Sequence, residues 1–151
     1  MKIKILSILV VFVIAVILPI ACNADKGQSA DKKSSLIVNT DKPGEELDIN
    51  KYLVKGKINI VDFYSEYCPP CRRISPLLSK LNKKSDDIAV IKVDINRPGK
   101  SSIDWSSPLA RQYELRSIPH FKIYDNEGNK ILEGQEAYQK VMVYIEEAGI
   151  N

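Results

Sequence analysis

Ile58-Asn59-Ile60-Val61-Asp62-Phe63-Tyr64-Ser65-Glu66-Tyr67-Cys68-Pro69-Pro70-Cys71 is the stretch whose reading decides the fold. Residues 58–64 form a near-continuous apolar run, the pattern of a strand buried on both faces in a parallel sheet. Cys68 and Cys71 stand where that strand ends and a helix begins. A thiolate, not a thiol, is the nucleophile, and a helix N-terminus offers partial positive charge and free N–H groups to stabilise it. The placement predicts a chain that makes and breaks disulfides.

Downstream, Ile74, Leu77, Leu78 and Leu81 recur at i, i+3, i+4 and i+7, which puts one apolar stripe of a helix against the sheet. Pro76 within it removes a backbone donor and should bend the helix. Residues 88–93 read as a second strand, 108–113 as a short helix and 120–124 as a third strand. Asp125-Asn126-Glu127-Gly128 is a turn ending in glycine, so residues 130–132 should return antiparallel as a hairpin. A last helix carries Tyr138, Val141, Met142, Ile145 and Ala148. Upstream, residues 36–38 suit a short first strand and residues 47–53 a short helix. Residues 36–151 thus form one α/β domain.

The N-terminus has a different character. Lys2 and Lys4 precede residues 5–21, a run without charge interrupted only by Ser7 and Pro19. This is the pattern of an export signal, either cleaved or kept as a single helix. Leu18-Pro19-Ile20-Ala21-Cys22 resembles the lipobox of bacterial lipoproteins, with Pro19 where that pattern usually has an aliphatic residue. Cys22 is therefore the candidate lipidation site, the alternative being a cysteine buried in a membrane anchor. Lipidation, a plain secretory signal and an uncleaved helix all lead out of the cytoplasm, and the lipidated reading gives a membrane-anchored location facing the periplasm or cell exterior. Lipidation of Cys22 would account for the odd member of three cysteines, leaving Cys68 and Cys71 to pair. Residues 23–35 contain no large apolar side chain and read as a flexible tether with a reach on the order of 20 Å.

Composition sets outer bounds. With 151 residues and 44% hydrophobic content, the chain holds one domain and extras and can bury a real core. Seven glycines and eight prolines are ordinary numbers and indicate neither a fibrous nor a disordered chain. Of the net charge of +3, two belong to Lys2 and Lys4, leaving about +1, and no basic stripe points to nucleic acid. A zinc site at Cys68 and Cys71 would need two more ligands, and only Cys22 and the lone His120 remain.

Residues 58–149 resemble the thioredoxin superfamily. Val61 to Cys71 matches the family's strand and active-site turn in residue type, Pro76 its helix proline, and Ile91-Lys92-Val93-Asp94 its next strand. Ser117-Ile118-Pro119 matches its cis-proline loop, and Gly134 a glycine near the substrate groove. The resemblance implies a mixed sheet of four to five strands flanked by helices, and a redox-active Cys68–Cys71 disulfide with no further cofactor. Cys68, at the helix cap, is expected to be exposed and to attack. Cys71, one turn inside, is expected to be shielded and to resolve the mixed disulfide. A merely structural bridge would close so small a loop that it removes only about 2 kcal/mol of unfolded-state entropy.

Asp62 interrupts an apolar strand, where a carboxylate must be neutral or paired. The resemblance implies that it exchanges the proton of Cys71 through water, and burial should raise its pKa. An edge residue facing solvent is the alternative. Lys92 reads as its charge partner, or as a lysine reaching out from a strand end. The resemblance makes Ile118–Pro119 cis, freeing the backbone of Ile118 to pair with a substrate peptide. Tyr67, Pro69, Ile118, Pro119 and Gly134 would line the groove.

His120 is expected to point away from the site, because alternation makes Phe121 and Ile123 the core-facing pair. Lys122 and Tyr124 share its face, which leaves open how the terminal helix packs. Residues 96–107 should emerge on the side of Cys68, with Trp105 either in a lip that selects partners or packed down to pin the loop. Pro69 and Pro70 bring neither N–H nor charge to Cys68, which leaves the Cys71 N–H, the helix dipole, Arg72 and Arg73 to favour its thiolate, opposed by Glu66. This points to a reductant, fed by a membrane-bound electron donor and acting on exported thiol and disulfide proteins. An oxidase or isomerase using a membrane-bound acceptor is the alternative, and a binding lipoprotein that does no redox chemistry is another class.

Overall fold

A computed structural model of the chain describes residues 36–151. The export signal, Cys22 and the tether lie outside the described residues. Five strands form one sheet: β1 (Leu36–Ile37), β2 (Ile58–Tyr64), β3 (Ile88–Asp94), β4 (His120–Tyr124) and β5 (Lys130–Glu133), in the order β1-β3-β2-β4-β5. The helices are α1 (Pro69–Lys84), α2 (Pro108–Gln112) and α3 (Gly134–Glu147), with a single 3-10 turn at Ile49–Tyr52. The short helix expected over residues 47–53 is this tighter turn. Asp48 caps it by accepting from the Asn50 N–H.

β2 is central, parallel to β3 and antiparallel to β4. Its residues Ile60, Val61, Asp62 and Phe63 are all fully buried, as a strand covered on both faces requires. Alternation then sends successive side chains to two layers. Ile60, Val90, Phe121 and Ile123 meet Ile74, Leu78 and Leu81 of α1 and Ala137, Val141 and Ile145 of α3. Val61, Phe63, Ile91 and Val93 face Ile49, Leu109 and Ala110 on the other side. Each fully buried side chain of this size stabilises by roughly 1.5–3 kcal/mol.

The terminal helix packs on the Phe121 and Ile123 face, so the polar side chains of β4 fall in the opposite layer. Met142 is not part of its apolar stripe and stands 38% exposed. α1 runs through Pro76 without interruption from Pro69 to Lys84. Pro69 and Pro70 begin it at positions whose N–H groups have no helical partner in any case. Lys83 and Lys84 in the last turn suit the negative end of the helix dipole.

Candidate active site

The turn from β2 into α1 is built by Ser65. Its buried hydroxyl accepts from the Tyr67 N–H at 3.1 Å, and its carbonyl accepts from the Cys68 N–H at 3.1 Å. Cys68 is thereby set at the N-cap of α1, where its Sγ accepts from the Cys71 N–H at 3.2 Å. The two cysteines are joined in a disulfide, with Cα atoms 5.2 Å apart. The Ile118–Pro119 bond is cis. The Ile118 carbonyl oxygen stands 3.6 Å from the Cys68 Sγ. With no proton on a disulfide sulfur this is a contact, which becomes a possible hydrogen bond only in the thiol state.

Cys68 is not exposed as the sequence suggests: 1% of its surface reaches solvent, against 2% for Cys71. It is bonded to the Cys71 sulfur and lies against the Ile118 carbonyl. Its chain neighbours Tyr67 and Pro69 are both exposed, so the sulfur lies just under the surface.

Beneath α1, Asp62 is fully buried, and neither carboxylate oxygen has a hydrogen-bond partner. Burial pushes its pKa from 3.8 up to about 7, opposed by the charge of Lys92. Lys92 is in register with Asp62 on the neighbouring strand, yet it is not the direct partner the sequence suggests. Its Nζ donates to the Ser75 hydroxyl and lies 4.1 Å from the centroid of the Tyr64 ring. Nor does it reach out to solvent, being 7% exposed. Neither Ser75 nor Tyr64 stood out in the sequence. The available signal was the spacing of four between Cys71 and Ser75, which puts both on one helix face.

Gly134 opens α3 with φ +66°, a backbone setting that favours glycine. It lies beside His120, the residue after Pro119: a Cβ on it would stand 3.8 Å from the His120 ring. His120 faces the layer away from Asp62, its ring edge-on to Phe63 at 6.1 Å between centroids. Its Nε2 is 3.3 Å from Glu133 Oε1. Burial pushes its pKa down, with Glu133 opposing. Lys122 also reaches Glu133, at 2.9 Å, and lies 4.9 Å from the Tyr113 ring centroid.

The loop after β3 roots beside the site, since the Ile95 N–H donates to the Tyr64 carbonyl at 3.0 Å. Trp105 does not pin it and is 43% exposed. Arg97 does so through two bonds to the buried Asp104, Nε at 2.7 Å and Nη2 at 3.0 Å. Gly44 allows the close approach: a Cβ there would come within 2.7 Å of the Arg97 nitrogen. Cys68, Cys71, Ile118 and Pro119 are brought together, with Tyr67 and Pro69 flanking Cys68. No group of three or more His, Cys, Asp or Glu among the described residues is arranged to hold a metal ion.

The family model described as Thioredoxin matches residues 45–147. The thioredoxin of Coprinus comatus is 35% identical over 86 residues, covering 56% of this chain and 73% of that protein. Thioredoxin-3 of Dictyostelium discoideum is 35% identical over 106 residues, covering 70% and 90%. Among solved structures, the oxidised thioredoxin of Plasmodium falciparum superposes with a TM-score of 0.51 at 26% identity, covering 76% of this chain and 99% of that one.

Proposed function

The chain belongs to the thioredoxin family and is a thiol-disulfide oxidoreductase of the protein-disulfide reductase kind, and from that premise we propose that it reduces disulfides of exported proteins while held at a membrane. The observation that carries the chemistry is the Cys68–Cys71 disulfide at the start of α1, with the Ile118 carbonyl 3.6 Å from the Cys68 sulfur.

In the reduced protein the Cys68 thiolate attacks one sulfur of a substrate disulfide. A mixed disulfide forms, the substrate S–S bond breaks, and the released thiolate takes a proton from solvent. Asp62 then accepts the Cys71 proton through water, and the Cys71 thiolate attacks the Cys68 sulfur. The second substrate thiolate leaves and the Cys68–Cys71 disulfide returns, two electrons having passed to the substrate. Lys92 acts through Asp62, its positive charge favouring the carboxylate. A substrate strand pairs with the backbone at Ile118, beside Tyr67, Pro69, Pro119 and Gly134. Trp105 extends that rim, so Trp105→Ala should slow reduction of a folded protein disulfide and leave reduction of a small aromatic disulfide unchanged.

No cofactor beyond the two sulfurs enters this cycle. A dithiol donor in the membrane restores the reduced pair, and Cys22 carries the lipid that keeps the protein near it. The export pattern of residues 1–22 supports that location, and labelled palmitate should be incorporated by the full chain but not by Cys22→Ala. The absence of any N–H or charge from Pro69 and Pro70 supports reduction over oxidation. Equilibration with glutathione tests the direction: a potential near about −270 mV fits a reductant, whereas about −120 to −180 mV would make the protein an oxidase or isomerase.

A further inference from the structure

A lysine and an aspartate that sit side by side in a sheet, both buried, ordinarily meet. Asp62 and Lys92 are opposite each other in the parallel register of β2 and β3, and both face α1. Opposite charges within hydrogen-bonding reach attract strongly where water is excluded. Yet both Asp62 oxygens are without a partner, and the Lys92 ammonium is engaged elsewhere. The Ser75 hydroxyl accepts one of its protons. The face of the Tyr64 ring lies 4.1 Å away, within the range where a desolvated cation–π contact contributes.

We propose that Ser75 is a positioning residue: together with Tyr64 it holds the Lys92 ammonium off the Asp62 carboxyl, and so decides how readily Asp62 takes up a proton. This rests on the reading of Asp62 as the group that accepts the Cys71 proton. Ser75 is one helical turn beyond Cys71 on the same face of α1, so the helix that carries the resolving sulfur also carries the anchor of the lysine. Other groups bear on Asp62 from every side. Lys92 and Tyr64 approach from the sheet, with Asp94 and Glu66 beyond Tyr64 at its carboxyl edge. Cys71 and Ser75 approach from α1. Phe121 lies opposite on β4, and from α3 Tyr138 and Tyr144 pack on the same core layer, the Tyr138 ring lying on Phe121.

Without the serine hydroxyl the buried ammonium loses its acceptor, and the free acceptor nearby is Asp62. The two then pair, and pairing favours the carboxylate. The test is a carbon NMR titration of the Asp62 carboxyl in the oxidised full chain. Ser75→Ala should lower the midpoint by about one pH unit or more, and Ser75→Thr, which keeps the hydroxyl, should restore it. Tyr64→Leu, which removes the other half of the hold, should lower it too, and stands in if Ser75→Ala does not fold. Adding Lys92→Met to Ser75→Ala should abolish the lowering. A midpoint unmoved in Ser75→Ala, or a lowering that survives Lys92→Met, overturns the inference. The parent reading fails separately: if Asp62→Asn leaves the rate of Cys71 attack on a mixed disulfide unchanged, Asp62 is not the proton acceptor, whatever the titration shows.

Discussion

Lys92 lies beside Asp62 in the register of β2 and β3, but its ammonium bonds to Ser75 and leaves the carboxyl of Asp62 without a partner. The consequence for stability follows from the direction of the shift. Burial raises the folded pKa of Asp62 from 3.8 to about 7. The contribution of this one group is therefore full below pH 4 and is lost as the pH rises from there through 7. At 1.36 kcal/mol per pH unit the loss is on the order of 4 kcal/mol.

Asp62→Asn removes that charge and leaves a buried amide whose own desolvation costs about 1–3 kcal/mol. Guanidinium unfolding of the oxidised protein should show the variant gaining on the parent by several kcal/mol between pH 4.5 and pH 8. A difference that does not change with pH would contradict the burial of an unpartnered carboxyl.

Glu133 shows the opposite sign. Burial pushes its pKa up, but hydrogen bonds from Lys130, Lys122 and His120 outweigh it and hold the group down to about 2. Stability from this cluster is present above the ordinary carboxylate range and is lost as the pH falls towards 2. Glu133 is one-third exposed, so solvent screening discounts the value of its ion pairs. Glu133→Gln should cost about 1–2 kcal/mol at pH 7, leaving Lys122 with only the faces of Tyr113 and Phe63. The difference from the parent in urea should shrink from pH 6 to pH 3. A constant difference would assign the loss to packing.

The loop after β3 is closed by the Arg97–Asp104 ion pair together with the Asn96 side chain, which donates to the Ser102 carbonyl and accepts from the Asp104 N–H. Arg97 holds the Asp104 carboxyl well below its usual range through side-chain hydrogen bonds. Asp104→Ala removes the two Arg97 side-chain bonds together with those from the Arg97 N–H and the Ser106 hydroxyl, and should cost about 2 kcal/mol locally. Trp105 is the only tryptophan in the chain and reports on this loop. In the variant its emission should change at lower denaturant than the far-ultraviolet circular dichroism. Coincident transitions would show that the loop is held by something other than Arg97 and Asp104.

Much of this is legible in the sequence. The apolar run of β2, the stripe Ile74, Leu78 and Leu81, and the turn before Gly128 each follow from short-range patterns that local geometry enforces. The pairing of Cys68 with Cys71 followed from their spacing and the odd third cysteine. Side-chain choices between several partners were not legible. Strand register makes Lys92 a neighbour of Asp62, but the choice of Ser75 as acceptor depends on how α1 sits over the sheet. The close approach of the Ile118 carbonyl to Cys68 joins residues fifty apart in the chain, which no local pattern reveals. Trp105 offered two readings because Arg97 and Asp104 each look like ordinary surface charges until the loop closes.

The claim on which the account turns is that Cys68 attacks and Cys71 resolves. Incubating reduced Cys71→Ala with a disulfide-bonded protein and mapping the adducts by mass spectrometry tests it directly. The account predicts stable mixed disulfides through Cys68, and no adduct at the active site of Cys68→Ala. Adducts at Cys71 in Cys68→Ala with none at Cys68 in Cys71→Ala would reverse the roles and contradict it.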